Sequence, residues 1–138
     1  MEITVQHIKG MHFQGEGGSK VMTHIDQSVK AGGSGIGASP MEMVLMAIAG
    51  CSGMDIVSIL EKMRVKFDRF IISVQGERAA DHPKVFTDIE VVYKFWGRSL
   101  PEDKLQRAVS LSMEKYCSVA NMIDKSANIT YRILVNPS

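Results

Sequence analysis

The chain has 138 residues, of which 45% are hydrophobic and 22% charged, and its formal net charge is +1. That length suits a single domain, residues 1 to 138, with one core, and the near-neutral balance gives no electrostatic reason to expect nucleic acid or an anionic membrane as partner. The opening MEITVQHIK alternates apolar and polar instead of forming a charged, apolar leader, which predicts a cytoplasmic protein whose two cysteines are thiols and not a structural disulfide.

In chain order, ITVQHI and MHFQGEG alternate in the manner of strands, separated by Gly10, and GGSK at 17 to 20 has hairpin-turn chemistry before a returning strand VMTHID at 21 to 26. Residues 27 to 39, rich in glycine and serine, read as a flexible loop that ends at Ser39 as N-cap, with Pro40 at the first helical position. A long helix follows from Pro40 to about Val65. Glu42, Asp55, Glu61, Lys62 and Arg64 interrupt its apolar run and argue against a membrane span. Methionines at 41, 43, 46, 54 and 63 suit an irregular apolar surface.

FDRFIISVQGERA and VFTDIEVVYKFWG alternate on either side of ADHPK, predicting a second hairpin. Ser99 reads as the cap of a helix opening with Pro101, Glu102 and Asp103, with Leu105, Ala108, Val109, Ser112 and Tyr116 on its buried face. Ser118 would cap a short helix through Lys125, and NITYRILV reads as a last strand. The order βββ, long α, ββ, α, short α, β predicts an α+β domain with predominantly antiparallel pairing.

Cys51 and Cys117 are the only cysteines, and each sits where a helical pattern would take leucine without comment. If the fold brings them together they form a redox dithiol; if it does not, they are small core residues. At about 100° per residue, Val44, Ile48, Asp55 and Ser58 share roughly the helical face of Cys51, whereas Glu42 points nearly opposite. Cys51 lies too deep in its helix for the macrodipole to act on it. A helix beginning at Ser118 would favour a thiolate at Cys117 and make it the more acidic of the two.

GASPMEMVLMAIAGCSGMDIV together with KYCSVANMI resembles the two cysteine motifs of the OsmC/Ohr family, the osmotically inducible and organic-hydroperoxide-resistance proteins, and the resemblance covers nearly the whole chain. Cys51 follows Pro40 by eleven residues as that family's first cysteine follows its helix-entry proline, and CSVAN at Cys117 is similar to its second motif. The resemblance implies an intertwined homodimer with antiparallel sheets around a long central helix and the thiols at the subunit interface. It further implies a thiol peroxidase with no cofactor beyond an external dithiol reductant. In that chemistry Cys51 takes an oxygen from a small hydroperoxide to become a sulfenic acid, and Cys117 condenses with it.

One departure concerns thiol activation. Peroxidase members pair an N-terminal arginine with a glutamate just after the helix-entry proline, whereas here no arginine precedes Arg64, Met41 follows Pro40 and the glutamate comes one place later, at Glu42. Lys20, Lys9 or a residue of a second subunit would have to substitute, without the planar fork of arginine. The pattern is similar to a less characterised branch of the family, and it keeps open a non-enzymatic redox sensor or binding module of the same fold.

The remaining candidates read as structural. His7, His12, His24 and His82 lack zinc-ligand spacing, although His12 and His24 are placed to face one another across a hairpin, and no CxxC exists. GGSGIGASP lacks the ending of a phosphate loop, and Phe95 and Trp96 read as packing residues.

Overall fold

A computed structural model describes residues 1 to 138 and has the expected order of elements. It divides into two compact units, Met1–Val44 and Leu45–Ser138.

The first unit carries a three-stranded antiparallel sheet of β1 (Ile3–Lys9), β2 (His12–Gly17) and β3 (Thr23–Ile25), in that order. The third strand is half the length that the sequence suggests, because Val21, Met22 and Asp26 remain outside it. Gly10, at φ +57, makes the β1–β2 turn. His12 and His24 do face one another, with Nε2 and Nδ1 2.9 Å apart. The glycine-rich loop is irregular, as expected, but it is fastened from within: the buried Asp26 carboxylate accepts the backbone N–H of Gln27 (2.7 Å), Ser34 (3.1 Å) and Ile36 (3.2 Å). Ser28 caps a single 3₁₀ turn at Val29–Ala31.

The long helix α1 (Pro40–Lys62) opens with Ser39 and Glu42 in a reciprocal cap: Ser39 N–H and O–H donate to Glu42 Oε2 at 2.7 and 2.8 Å, and Glu42 N–H donates to Ser39 Oγ at 3.4 Å. It stops at Lys62, three residues short of the expected end, because Arg64 takes a left-handed conformation (φ +57) and Val65 N–H returns to Leu60 O at 2.9 Å. One 18-residue stretch of α1 has mean hydropathy 2.0 and is 28% buried, so by length and composition it is apolar enough to cross a membrane. The core helix of a folded domain has the same character, and α1 buries Ile48, Ile56 and Leu60 while carrying Glu42, Asp55, Glu61 and Lys62.

In the second unit β4 (Arg69–Arg78), β5 (Phe86–Trp96) and β6 (Asn128–Val135) form a sheet with β5 in the centre. β4 and β5 pair antiparallel, but β6 runs parallel to β5. The parallel pairing follows from the intervening α2 (Glu102–Leu111) and α3 (Ser118–Ile123), since a helical crossover returns the chain in its original direction. The core comprises Ile48, Ile56 and Leu60 of α1, Val91, Tyr93 and Phe95 of β5, and Leu105, Ala108 and Val109 of α2. Gly53 lets α1 close on β4: a Cβ there would lie 2.8 Å from the Ile72 methyl.

Helix α2 begins later than the sequence suggests. Pro101 is the N-cap, without a side-chain hydrogen bond, and Ser99 sits in the preceding turn at φ +52. Leu100 precedes a proline and is thereby biased away from helical conformation. The end of α2 loosens into a π-helical turn, Ser112–Tyr116, closed by Cys117 N–H to Ser112 O at 2.7 Å. That wider turn rotates the face presented to the core, so Ser112, Met113 and Cys117 are buried while Tyr116, expected inside, is exposed.

Candidate thiol site

Cys51 lies in the middle of α1, part-exposed, with Asp55 one turn further along the same face. Cys117 is fully buried at the junction of the π-helical turn and α3. The fold brings these three together: the sulfurs of Cys51 and Cys117 and a carboxylate oxygen of Asp55 all lie within 4.8 Å of one another. Both cysteines are free thiols.

Cys117, not Ser118, is the N-cap of α3, and its Sγ accepts the N–H of Ala120 at 3.3 Å. The proximity of a helix start nevertheless does not make this thiol acidic. Burial pushes it up to about 11; the Ala120 N–H works against that rise, while contact with the Cys51 thiol and the charge of Asp55 add to it. The expectation of an acidic Cys117 fails because loss of solvation at zero exposure outweighs one hydrogen bond from the backbone.

Polar groups hold this arrangement in an otherwise apolar interior. Ser112 donates its hydroxyl to Asp55 Oδ2 at 3.1 Å, with Ser52 O a second acceptor at 3.3 Å. Next to Cys51, the buried Ser52 receives the Tyr93 hydroxyl at 2.8 Å and donates to Ile48 O at the same distance. Burial raises the Tyr93 hydroxyl far above its ordinary value, so it remains a neutral donor. A recess of about 400 Å³ opens on Asp55 and is lined also by Ser58, Lys62, Arg107, Leu111 and Tyr116.

The other two residues nominated from sequence are occupied elsewhere. Glu42 serves the N-terminus of α1 through Ser39, whose N–H and then O–H hold the carboxyl below its usual range. Lys20 is exposed and pairs with Glu16 at 3.5 Å. The sequence reading did not nominate Asp55, Ser52, Ser112 or Tyr93. Asp55 carries a signal in the sequence, since it falls on the helical face of Cys51.

The OsmC-like protein family model matches residues 32 to 132. Protein YhfA of Escherichia coli strain K12 is 43% identical over 132 residues, which cover 95% of each chain. Among solved structures, a hypothetical protein from Aquifex aeolicus VF5 is 30% identical with a TM-score of 0.82, covering 99% of this chain and 97% of that one. An organic hydroperoxide resistance protein OsmC from Legionella pneumophila shares the fold at 14% identity, with a TM-score of 0.71 over 98% of both chains. With the motif pair joined in one site and these matches spanning nearly its whole length, the chain belongs to the OsmC-like protein family.

Proposed function

We propose that the protein is a cysteine-based thiol peroxidase acting on small hydroperoxides in defence against oxidative stress. The observation that carries this reading is the convergence of Cys51 and Cys117, remote in sequence, to within 4.8 Å. Cys51 as thiolate attacks the distal oxygen of ROOH; the O–O bond breaks, RO⁻ leaves and takes a proton, and Cys51 becomes a sulfenic acid. The buried Cys117 then attacks that sulfur, forming the disulfide and releasing water, and an external dithiol returns both thiols while becoming a disulfide itself. The part-exposed position of Cys51 suits the sulfur that meets the oxidant, and the zero exposure of Cys117 suits the one that resolves it.

The working form in this reading is a cytoplasmic homodimer with neither nucleic acid nor membrane as partner. The homodimer part of this reading is supported by apolar side chains left bare on one chain: Ile3, Val5 and Phe13 of the first sheet, Met46 and Met54 of α1, and an apolar groove of about 640 Å³ between α1 and β4.

Asp55 favours a second reading, a redox sensor or binding module that forms the disulfide without rapid turnover. A carboxylate lies beside the thiols where a peroxidase would place a cation, in a chain with no arginine before Arg64, and its charge adds to the rise of the Cys117 thiol. Hydroperoxide consumption with a dithiol reductant, compared among wild type, Cys51→Ser and Cys117→Ser, tests the proposal. Loss of turnover in Cys51→Ser and over-oxidation of Cys51 in Cys117→Ser are expected; equal rates in all three proteins would overturn it. A mass loss of two hydrogens with limiting peroxide, without catalytic consumption, would select the sensor.

A further inference from the structure

We infer that the reduced site is also a binding site for one thiophilic divalent cation of the zinc class, held by Cys51, Asp55 and Cys117. This inference does not rest on peroxide chemistry; it requires only that the thiols be reduced.

The donor set is two sulfurs and one carboxylate oxygen, mutually within 4.8 Å. A tetrahedral zinc ion, with Zn–S near 2.3 Å and Zn–O near 2.1 Å, places its ligand atoms roughly 3.4 to 3.8 Å apart. The three donor atoms therefore lie within about 1 Å of the spacing an ion requires. Two sulfurs select a soft or borderline cation over magnesium or calcium, which take oxygen ligands in larger numbers.

The surroundings are those of a supported ligand set. Ala120 N–H already points at Cys117 Sγ at 3.3 Å, the kind of hydrogen bond that stabilises a metal-bound thiolate. Ser112 fixes the other end of the set by donating to Asp55 Oδ2 at 3.1 Å, and the Tyr93–Ser52 hydrogen bond holds the helical turn of Cys51 against β5. Cys51 and Asp55 are part-exposed, so an ion can enter on their side and a water can complete the tetrahedron. Binding replaces the two thiol protons, which leave to solvent, and gives a site with one net negative charge; Lys62 and Arg107 of the adjoining recess offset it. A Cys51–Cys117 disulfide has no thiolate to offer, so metal and oxidation exclude one another.

Reduced, metal-free full-length protein titrated with Co²⁺ and then Zn²⁺ tests this inference. The expected result is one Co²⁺ per chain with a sulfur-to-cobalt charge-transfer band that Zn²⁺ displaces, and metal-bound Cys51 protected from alkylation. Cys51→Ser and Cys117→Ser should remove the band, and Asp55→Asn should weaken uptake by at least about tenfold, whereas His12→Ala should leave both unchanged. Wild type alkylated at Cys51 should take up no cobalt at this site, a control that needs no folded cysteine variant. No stoichiometric uptake by the reduced wild type, or uptake that survives alkylation or Asp55→Asn undiminished, would overturn it. Because the readout is the metal itself, a protein without peroxidase turnover can still bind the ion, and a peroxidase can fail to.

Discussion

Tyr93 donates its buried hydroxyl to Ser52 over 2.8 Å, tying the central strand to the helical turn that carries Cys51. The same hydroxyl also meets Met113 Sδ at 2.9 Å, so β5, α1 and the π-helical turn share one polar point in the core. Tyr93→Phe removes a donor but leaves Ser52 its bond to Ile48 O, and the expected loss of stability is about 1 kcal/mol. Ser52→Ala leaves the buried phenol without its oxygen partner and should cost more, about 1 to 3 kcal/mol. Urea unfolding of the two variants checks the order; a Tyr93→Phe protein less stable than Ser52→Ala would show that the phenol acts chiefly through another contact.

The two thiols should react in sequence with an alkylating reagent. Cys51 is part-exposed and Cys117 has no exposed surface, and burial also holds the Cys117 thiol up near 11. In the metal-free native protein at neutral pH, Cys51 should be modified first and Cys117 only at a rate set by opening of the structure, more than tenfold slower. Peptide mass mapping over time measures both rates. Equal rates would mean that the wall over Cys117 opens freely.

The order of elements, the caps at Ser39 and Pro40, and the thiols were legible from periodicity and spacing because each leaves a local mark on the sequence. The rest depends on contacts that no local pattern encodes. A π-helical turn adds one residue to a helical circuit, so the α-helical spacing that placed Tyr116 inside was carried past the point where it applied. The helical face places Asp55 beside Cys51, but its contacts with Ser112 and Cys117 come from more than fifty positions away. A helix beginning at Ser118 implies an acidic Cys117, but solvation is a property of the whole fold and decides the opposite. Glu42, a candidate for thiol activation, stands three residues after Ser39 and completes the capping pattern that the sequence displays.

That cap gives α1 an acid-sensitive end. Ser39 N–H and O–H hold the Glu42 carboxyl below its ordinary 4.5, so the charged form is favoured in the folded protein. A carboxyl with a depressed folded value contributes stability that is present above its unfolded value and disappears as the pH falls through the folded one. The melting temperature of wild type should therefore decline below about pH 4.5 more steeply than that of Glu42→Gln, which keeps an acceptor but no charge. Ser39→Ala should cost about 1 kcal/mol at neutral pH through loss of the N-cap. Parallel acid limbs for wild type and Glu42→Gln would place the acid sensitivity elsewhere.

Gly37 governs how the glycine-rich loop leaves the first sheet. A Cβ built on it overlaps the carbonyl of His24, backbone that cannot turn aside as a side chain would, and the next residue, Ala38, pairs with Ile25 and accepts Asp26 N–H at 3.1 Å. Gly37→Ala should therefore push the loop off β3 and destabilise the protein by about 1 to 3 kcal/mol. Gly32, at φ +87, meets nothing within 4 Å, so alanine there strains only its own backbone at a cost of about 1 kcal/mol. Hydrogen exchange separates the two: Gly37→Ala should release the Asp26 amide along with overall stability, whereas Gly32→Ala should leave that amide protected. An Asp26 amide equally protected in both variants would mean that the loop accommodates the methyl group without leaving the strand.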